Sequence, residues 1–362
     1  MKKAISIISA AVISLSSFTA LAQNNIEKDY PWAAESVQYC LDNGILTGDE
    51  TGDLKLGDNI TRAQMAKIFT ETFDLKATGT ITFDDVMEDR WYYPYAVAIQ
   101  NYMPKKTDTF GQGEYVTREE FAATLVLAAG QKAATSYTIT NYSFDDADKV
   151  DDAYKNLLET AVVNLYLRGD NDNIRPKDLL TRAEACTFLY RVVNPSADKT
   201  SITGAAEVTV KQAQNWARAM GADERFINIA PVYWKYGGIF GIRPEVMYAQ
   251  AGKETGYGKY GGAVLPEMNN WAGIKTKDAD GDETEDHETF ATPDDGVRGH
   301  YNHMSAYVGI APVGQVHDRY NVVLTIAWAG TVKYVEQLGG RWCPDINYGY
   351  EILDMINNMK NY

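Results

Sequence analysis

The chain has 362 residues, of which 45% are hydrophobic and 12% aromatic, so it is long enough for two or three domains with sizeable cores. Its formal net charge of −15 excludes general binding to nucleic acid, because a phosphate backbone repels an acidic surface. Any polymer that the protein binds must therefore be recognised through specific contacts.

Residues 1–22 have the pattern of a secretion signal. Two lysines precede an apolar run over residues 4–15, and the Ala-Leu-Ala sequence at 20–22 is the small-x-small pattern cleaved by signal peptidase. No later segment approaches the ~20 apolar residues that a membrane span requires. The sequence predicts a secreted protein that starts near Gln23 and has no membrane span in the mature chain.

Three segments of the first half repeat one motif: "ITRAQMAKIFTETF", "VTREEFAATLVLAAG" and "LTRAEACTFLYRVV". Each places a threonine three residues before a glutamine or glutamate at the start of an apolar helix. This spacing predicts a capping box, in which the hydroxyl accepts from an amide of the first turn and the longer side chain reaches back. The pairs are Thr61 with Gln64, Thr117 with Glu120, and Thr181 with Glu184.

An arginine follows the threonine in every copy: Arg62, Arg118 and Arg182. A cation at the first helical position faces the positive end of the helix dipole, so helix stability does not explain its recurrence. Solvated surface arginines are one interpretation. An arginine beside free helix-start amides also makes an anion clamp, which predicts a ligand that carries a carboxylate.

Helix-like segments with aromatic and acidic openings precede the three boxes, for example "DYPWAAESVQYCLDNGILTGD" and "FDDVMEDRWYYPYAVAIQNYM". With them the unit resembles the S-layer homology repeat, in copies over 23–79, 80–138 and 139–193. The resemblance implies a helical prism with pseudo-threefold symmetry. Its grooves would bind secondary cell-wall polysaccharide at the cell surface, often through a pyruvylated sugar, with contacts from Trp32, Tyr92 and the three arginines.

Residues 194–208 are polar and rich in Ser, Thr and Gly, which predicts a linker before a second domain over 209–362. The second domain is mostly helical by pattern, with one helix from Pro244 and another near 319–338. A "DADGD" turn with acidic arms predicts a small β-hairpin lobe. The fold class is therefore mainly α.

Glu254 lies near the end of the helix that starts at Pro244. It shares a face with Met247, Gln250 and Ala251, so the carboxyl points toward the apolar side. Partial burial and the negative end of the helix dipole both favour its protonated form. A structural buried acid would satisfy this pattern, and so would a general acid for glycoside cleavage.

Four blocks occur in order around this glutamate: "FINIAPVYWKYGGIFGIRPEVMYAQAGKETGYGKYGG", "NNWAGIK", "FATPDDGVRGH" and "WCPDINYGYEIL". Together they resemble the glucosaminidase domain of glycoside hydrolase family 73. The resemblance implies a lysozyme-like fold that cleaves the β-1,4 bond between N-acetylglucosamine and N-acetylmuramic acid in peptidoglycan. Glu254 matches the general acid, and Tyr348 matches a tyrosine that lines the cleft and is included among the catalytic residues. The predicted substrate-binding residues are Gln250, Tyr257, Asn269, Asn270, Trp271 and Gly273.

The hairpin offers three candidates for a second carboxylate: Glu283, Glu285 and Glu288. We favour Glu288. A separation of ~6.5–9.5 Å from Glu254 would suit activation of water, and ~5–5.5 Å would suit a nucleophile. The acetamido group of the substrate could also attack, in which case no second carboxylate is needed.

His300 and His303 are spaced as helical neighbours, but no third ligand is spaced to complete a metal site, so we predict neither a metal nor a cofactor. Cys40 and Cys186 lie in apolar helical patterns and are predicted to be buried thiols, with a bridge between them as the alternative. The alternatives to a wall-anchored peptidoglycan hydrolase are a lytic transglycosylase and a structural surface-layer protein with an inactive hydrolase domain.

Overall fold

The structure is a computed structural model that describes residues 26–105, 107–170 and 172–362. The predicted signal peptide lies outside these ranges. The chain forms two compact units that divide between Ala197 and Asp198. Within the described ranges, no helix is long and apolar enough to cross a membrane. The mainly α fold class is confirmed.

The helices of the first unit that begin at a repeat arginine each pack against a helix of another repeat. The helix from Arg62 packs on Tyr93–Ile99, the helix from Arg118 on Lys155–Val163, and the helix from Arg182 on Ala34–Asp42, so the set of pairs is closed. The helices are α1 (Ala34–Asp42), α2 (Arg62–Phe73), α3 (Tyr93–Ile99), α4 (Arg118–Ala128), α5 (Ile139–Ser143), α6 (Lys155–Val163) and α7 (Arg182–Val193).

A ring of three backbone hydrogen bonds joins the repeats just before their capping threonines. The amide of Ile60 donates to the carbonyl of Leu180 at 2.9 Å, Leu180 donates to Val116 at 2.9 Å, and Val116 donates to Ile60 at 3.0 Å. All three side chains are fully buried. Each repeat is therefore bonded to both others around a common centre.

The capping boxes are confirmed for α2 and α7, in which both reciprocal hydrogen bonds form. In α4 the hydroxyl of Thr117 accepts from the amide of Glu120, but the carboxylate of Glu120 binds Arg62 at 2.7 Å. The capping glutamate of the second repeat thus holds the first repeat.

Arg118 makes the corresponding link between the second and third repeats. Its Nη1 donates to Oε1 of Glu184 at 2.8 Å, and its guanidinium lies 5.1 Å from the ring centroid of Phe188. The side chain also donates to the carbonyls of Ile174 and Arg168. Because Arg118 is only 3% exposed, every one of these contacts is shielded from water.

Cys40 and Cys186 are buried where α1 packs on α7, and they are not disulfide-bonded, as predicted. The neighbouring Cys186 thiol and burial raise the pKa of the Cys40 thiol.

The second unit is built around α10 (Pro244–Glu254), which is buried over residues 244–252. It packs against the helices Glu224–Phe240 and Tyr348–Met359. Its core contains the fully buried rings of Trp216, Tyr233, Tyr248 and Tyr301. The other helices are α8 (Val210–Ala219), α9 (Glu224–Phe240), α11 (Pro293–Val308), α12 (Asp318–Leu324) and α13 (Tyr348–Met359).

Three parts of the second unit differ from the prediction. The segment predicted as a linker joins this unit early, because Ile202 is buried and its amide donates to the carbonyl of Lys333. The helix predicted over 319–338 ends at Leu324, and the chain becomes helical again only as a 3-10 turn at Val335–Leu338. The hairpin lobe is a loop whose arms pair at the single bridge between Lys275 and His287.

The buried link between repeats gives a stability prediction. Arg118→Met keeps the volume of the stem but removes a cationic partner of the Glu184 carboxylate and a donor to the carbonyl of the buried Ile174, so we expect the first unit to lose about 3 kcal/mol of unfolding free energy. Hydrogen exchange of peptides from the first unit of the full chain would measure this loss. The matched Arg182→Met variant, at a half-buried arginine without a carboxylate partner, should lose about 1 kcal/mol or less. Equal losses in the two variants would contradict the role given to Arg118.

Candidate active site and wall-binding groove

The sequence places Glu254 at the point where α10 must stop. Gly256 and Gly258 follow with φ angles of 54° and 79°, a conformation that favours glycine, and a Cβ at Gly258 would lie 2.7 Å from Cβ of Phe226. The chain therefore turns away within two residues of Glu254. This turn leaves the carboxyl at the helix end, open to solvent.

The carboxyl of Glu254 is partly exposed to solvent but has protein atoms around most of it. This crowding raises the pKa of Glu254 above its usual value, because desolvation penalises the charged form. Hydrogen bonds from Tyr348 and Trp342 lower the pKa, as does the charge of Lys253, but the desolvation outweighs them. The group is thus biased toward its protonated form.

Both donors to Glu254 act on the same oxygen. The hydroxyl of Tyr348 and Nε1 of Trp342, the latter at 3.2 Å, donate to Oε1. The other oxygen, Oε2, faces Gly273, where an added Cβ would lie 3.7 Å away. Since Oε1 already accepts two hydrogen bonds, Oε2 is the oxygen that carries the acidic proton.

The turn 269–273 is held by its own asparagines. Nδ2 of Asn270 donates to the carbonyls of Ile274 and Glu288, and its Oδ1 accepts from the amides of Ala272 and Ile274. The side chain is fully buried with all these partners inside the protein. Asn270 therefore fixes the turn and is not available to a sugar, which corrects the prediction.

Three further residues predicted to bind substrate also have structural partners. Nδ2 of Asn269 donates to the carbonyl of Phe290, Nε1 of Trp271 donates to the carbonyl of Pro293, and Gln250 binds Tyr348. Trp271 and Gln250 are 1% and 0% exposed, so neither can contact a ligand. The sequence pattern identified the segments near Glu254 but could not show which of their side chains are buried and which are exposed.

Tyr257 and Gly273 stay compatible with the cleft. Tyr257 is half-buried, has a φ of 59° and packs edge-on against Trp216. Gly273 has a φ of 59° and borders Oε2 of Glu254. A side chain at Gly273 would narrow the space in front of the acidic proton.

Sequence reasoning did not identify Trp342 as a site residue. The only signal was its position six residues before Tyr348, within the same block, and its contact with Glu254 spans 88 residues of sequence. Tyr348 was predicted, and it lies at the start of α13 in contact with the carboxyl.

The three hairpin carboxylates differ in their surroundings. Glu283 and Glu285 are exposed in or beside the 3-10 turn Thr284–Asp286. Glu288 is half-buried, and its amide donates to the carbonyl of Ile274, which directly follows Gly273. Burial and the nearby charge of Asp318 raise the pKa of Glu288.

The first unit has a groove of about 470 Å³ that contains Arg182. We name it the Arg182 groove; among its lining residues are Thr47, Asp49, Lys55, Gln64, Trp91 and Arg182.

Arg182 differs from the other two repeat arginines because Gln64 stands where they have a glutamate. Its guanidinium donates to the carbonyls of Leu54 at 2.9 Å and Thr47 at 3.0 Å. Among the residues that the structure describes, no carboxylate lies within ion-pair distance of it, whereas Lys55 in the same groove is paired with Asp53. Among the described residues, Arg182 is thus a cation of this groove outside any ion pair, although Asp49, Asp53 and Asp58 also line the groove.

The predicted anion clamp is wrong for Arg62 and Arg118. Arg62 and Arg118 are committed to Glu120 and Glu184, so neither has a free charge for a ligand. The helix-start amides are also occupied, since neighbouring carbonyls accept from those of all three arginines. These carbonyls belong to Glu114, Asp178 and Asp58.

The two predicted aromatic contacts, Tyr92 and Trp32, differ in exposure. Tyr92 is 6% exposed and stacks on Phe110, so it is a core residue. Its neighbour Trp91 is 59% exposed and lines the Arg182 groove. Trp32 is 56% exposed, as a sugar contact requires.

A carboxyl with a raised pKa and two hydrogen-bond donors at a helix end fits the acid of a glycosidase-type hydrolase. Comparison with known families agrees. Residues 230–361 match the family described as mannosyl-glycoprotein endo-beta-N-acetylglucosaminidase, and residues 26–66 and 143–186 match the S-layer homology domain. The chain thus combines S-layer homology sequence with a glucosaminidase domain. The two S-layer homology matches coincide with the first and third predicted repeats.

Similar curated proteins include large surface proteins. The surface-layer 125 kDa protein of Lysinibacillus sphaericus is 29% identical over 216 residues, which is 56% of this chain and 18% of that protein. The S-layer protein EA1 of Bacillus anthracis is 27% identical over 164 residues, or 44% and 18% of the two chains. The exoglucanase XynX of Acetivibrio thermocellus is 26% identical over 175 residues, or 46% and 16%. The chain spans less than a fifth of the length of these relatives, which point to the cell surface.

Proposed function

We propose that the protein is a secreted, wall-anchored peptidoglycan hydrolase that cleaves the β-1,4 bond between N-acetylglucosamine and N-acetylmuramic acid. Glu254 is its general acid. The observation that carries this proposal is the carboxyl itself: it is open to solvent, its pKa is raised, and its two hydrogen-bond donors leave Oε2 to hold the proton.

In this mechanism, Oε2 of Glu254 protonates the glycosidic oxygen as the sugar bond breaks. The negative charge that develops on the carboxylate is stabilised by the donors already bound to Oε1, which need no rearrangement during the step. Tyr348 and Trp342 therefore belong to the catalytic machinery.

Glu288 is the proposed second carboxylate. Its backbone is hydrogen-bonded to the turn that borders Oε2 of Glu254, whereas Glu283 and Glu285 lie earlier in the loop, in or beside the 3-10 turn. A half-buried carboxyl with a raised pKa is a better base than an exposed one.

The proposed anchor is the Arg182 groove, with secondary cell-wall polysaccharide as its ligand. A carboxylate on that polymer, such as the pyruvyl group of a modified sugar, would neutralise Arg182, and the exposed ring of Trp91 would contact a sugar face. Arg62 and Arg118 would contribute to the fold of this unit and not directly to the ligand.

The first prediction concerns Glu254→Gln, which keeps the shape of the side chain but cannot donate an acidic proton. Hydrolysis of purified peptidoglycan should fall by ~10²–10⁴-fold, and sedimentation with cell walls should persist. Mass spectrometry of the wild-type products should show reducing ends and not 1,6-anhydro ends. An active, folded Glu254→Gln protein would remove the assignment, and inactive wild-type protein in a zymogram would favour a structural surface-layer role.

The second prediction concerns the loop carboxylates. Glu288→Gln should reduce turnover by at least ~10²-fold if Glu288 acts as a base or nucleophile, and Glu283→Gln and Glu285→Gln, as matched controls on the same loop, should stay near wild type. Mild effects in all three variants would favour attack by the acetamido group of the substrate.

The third prediction concerns anchoring. Arg182→Gln should weaken binding to purified wall polysaccharide by ~10-fold or more, because a hydrogen bond to a charged group is lost. Gln64→Glu should also weaken it, by supplying an internal carboxylate for Arg182. Peptidoglycan hydrolysis in solution should be unchanged in both variants. Lys132→Gln, which removes one exposed charge from the same unit, is the control, and equal binding by all four proteins would refute the role of the groove.

A further inference from the structure

A line of hydrogen bonds runs from Glu254 into the core of the second unit. The hydroxyl of Tyr348 donates to Glu254 and accepts from Nε2 of Gln250 at 3.1 Å. Oε1 of Gln250 lies 3.0 Å from Nε2 of His300, and Nδ1 of His300 lies 3.1 Å from the hydroxyl of Tyr233. We name the four residues Tyr233, His300, Gln250 and Tyr348 the relay.

The relay is sealed from water. Tyr233, His300 and Gln250 have no exposed surface, and Tyr348 is 2% exposed. Each polar atom in it must therefore be satisfied by its neighbour, because an unpaired buried group is costly. None of the first three residues touches the cleft.

The hydrogen bonds can be given one direction. Because Nε2 of Gln250 donates to Tyr348, its Oε1 must accept, and the proton of the neutral His300 ring must be on Nε2. Nδ1 of His300 then carries a lone pair that accepts from Tyr233. Burial lowers the pKa of His300 to about 3, so the ring keeps one donor and one acceptor at working pH. Every link donates toward Glu254.

The opposite orientation of Gln250 would change what Tyr348 does. If the amide were turned, its carbonyl would face the hydroxyl of Tyr348 and compete with Glu254 for that proton. Tyr348 alone cannot choose between the two arrangements, since a hydroxyl both donates and accepts. The two arrangements differ at Tyr233, whose buried hydroxyl has its only hydrogen bond, among the described residues, with Nδ1 of His300. A buried hydroxyl proton needs an acceptor, so Tyr233 donates to Nδ1 and the ring proton of His300 lies on Nε2.

We propose that His300, three hydrogen bonds away from Glu254, is a positioning residue whose Nε2 proton fixes the amide of Gln250 and thereby commits the Tyr348 hydroxyl to Glu254. This inference rests on the proposed role of Glu254 as general acid. The committed donor stabilises the carboxylate that forms when Glu254 gives up its proton. Without it, Glu254 is a weaker acid.

The consequence is visible in the pH dependence of turnover. Activity is lost at alkaline pH when Glu254 ionises, and the hydrogen bond from Tyr348 lowers the pKa of Glu254, so loss of that bond moves the alkaline limb to higher pH. The other titratable groups around the carboxyl are Lys253, Tyr307 and Cys343. Those around His300 are His303 and Tyr233. The variants of His300 leave all of these in place.

The experiment compares His300→Leu with His300→Gln in the full chain, on purified peptidoglycan. Leucine removes both ring nitrogens, and we expect kcat to fall about 3- to 10-fold, KM to stay unchanged, and the alkaline limb to rise by about half a pH unit. Glutamine restores a donor near the Nε2 position and should bring the limb back. Tyr348→Phe gives the full shift for scale. Tyr301→Phe is the matched control, since it removes a buried hydroxyl on the same helix that is outside the relay.

A purely structural role would lower the active fraction of His300→Leu at every pH and leave the limb at its wild-type position, and that result would overturn the proposal. If His300→Leu does not fold, Tyr233→Phe removes only the distal hydroxyl and should shift the limb in the same direction by less. An independent readout is the imidazole ¹⁵N spectrum of the wild-type protein, which should show the proton of His300 on Nε2. A proton on Nδ1 would refute the relay even if Glu254→Gln is inactive, whereas an active Glu254→Gln would refute the proposed function and leave the tautomer result standing.

Discussion

The hydrogen bond from Tyr348 to Glu254 is the contact on which the site in the second unit depends. It joins the first residue of α13 to the last residue of α10, so the end of the chain must return to the helix that carries the carboxyl. Crowding holds the proton on Glu254, and the donors on Oε1 stabilise the charge that appears when the proton leaves. These opposing effects make the group a usable acid: burial alone would raise its pKa without stabilising the product.

In the first unit the corresponding constraint is ring closure. Three repeats that bond to one another through backbone amides leave each repeat arginine facing the capping residue of the next repeat. A glutamate at that position forms an ion pair with the arginine, as Glu184 does with Arg118. Gln64 cannot do so, and Arg182 is left with backbone partners only among the described residues. One neutral amide thus makes one groove of the unit electrostatically different from the others.

The sequence was informative where a pattern is local. The capping boxes and the position of Glu254 follow from spacings of three or four residues, and the structure contains two of the three boxes and the glutamate at the helix end. The carboxylate partners of Arg62 and Arg118 lie 58 and 66 residues away in the sequence, so a local pattern could not show that these two arginines are ion-paired. Asn270 and Trp271 are buried in the turn before Gly273, because their side chains bond to the loop and to the first residue of α11, which a local pattern does not show. Trp91 and Tyr92 are neighbours in the turn before α3, where a shift of one residue decides which ring is buried and which is exposed.

The position of the acidic proton also constrains the second catalytic group. Because Oε1 of Glu254 is occupied, the glycosidic oxygen must approach Oε2, past Gly273. A carboxylate that acts on the anomeric carbon must then reach across the same turn from the other side. Glu288 is hydrogen-bonded through its backbone to both Ile274 and Asn270. Any shift of this turn therefore changes the surroundings of Glu254 and of Glu288 at the same time. The turn residues, which do not contact sugar themselves, therefore set the spacing on which the stereochemical outcome depends.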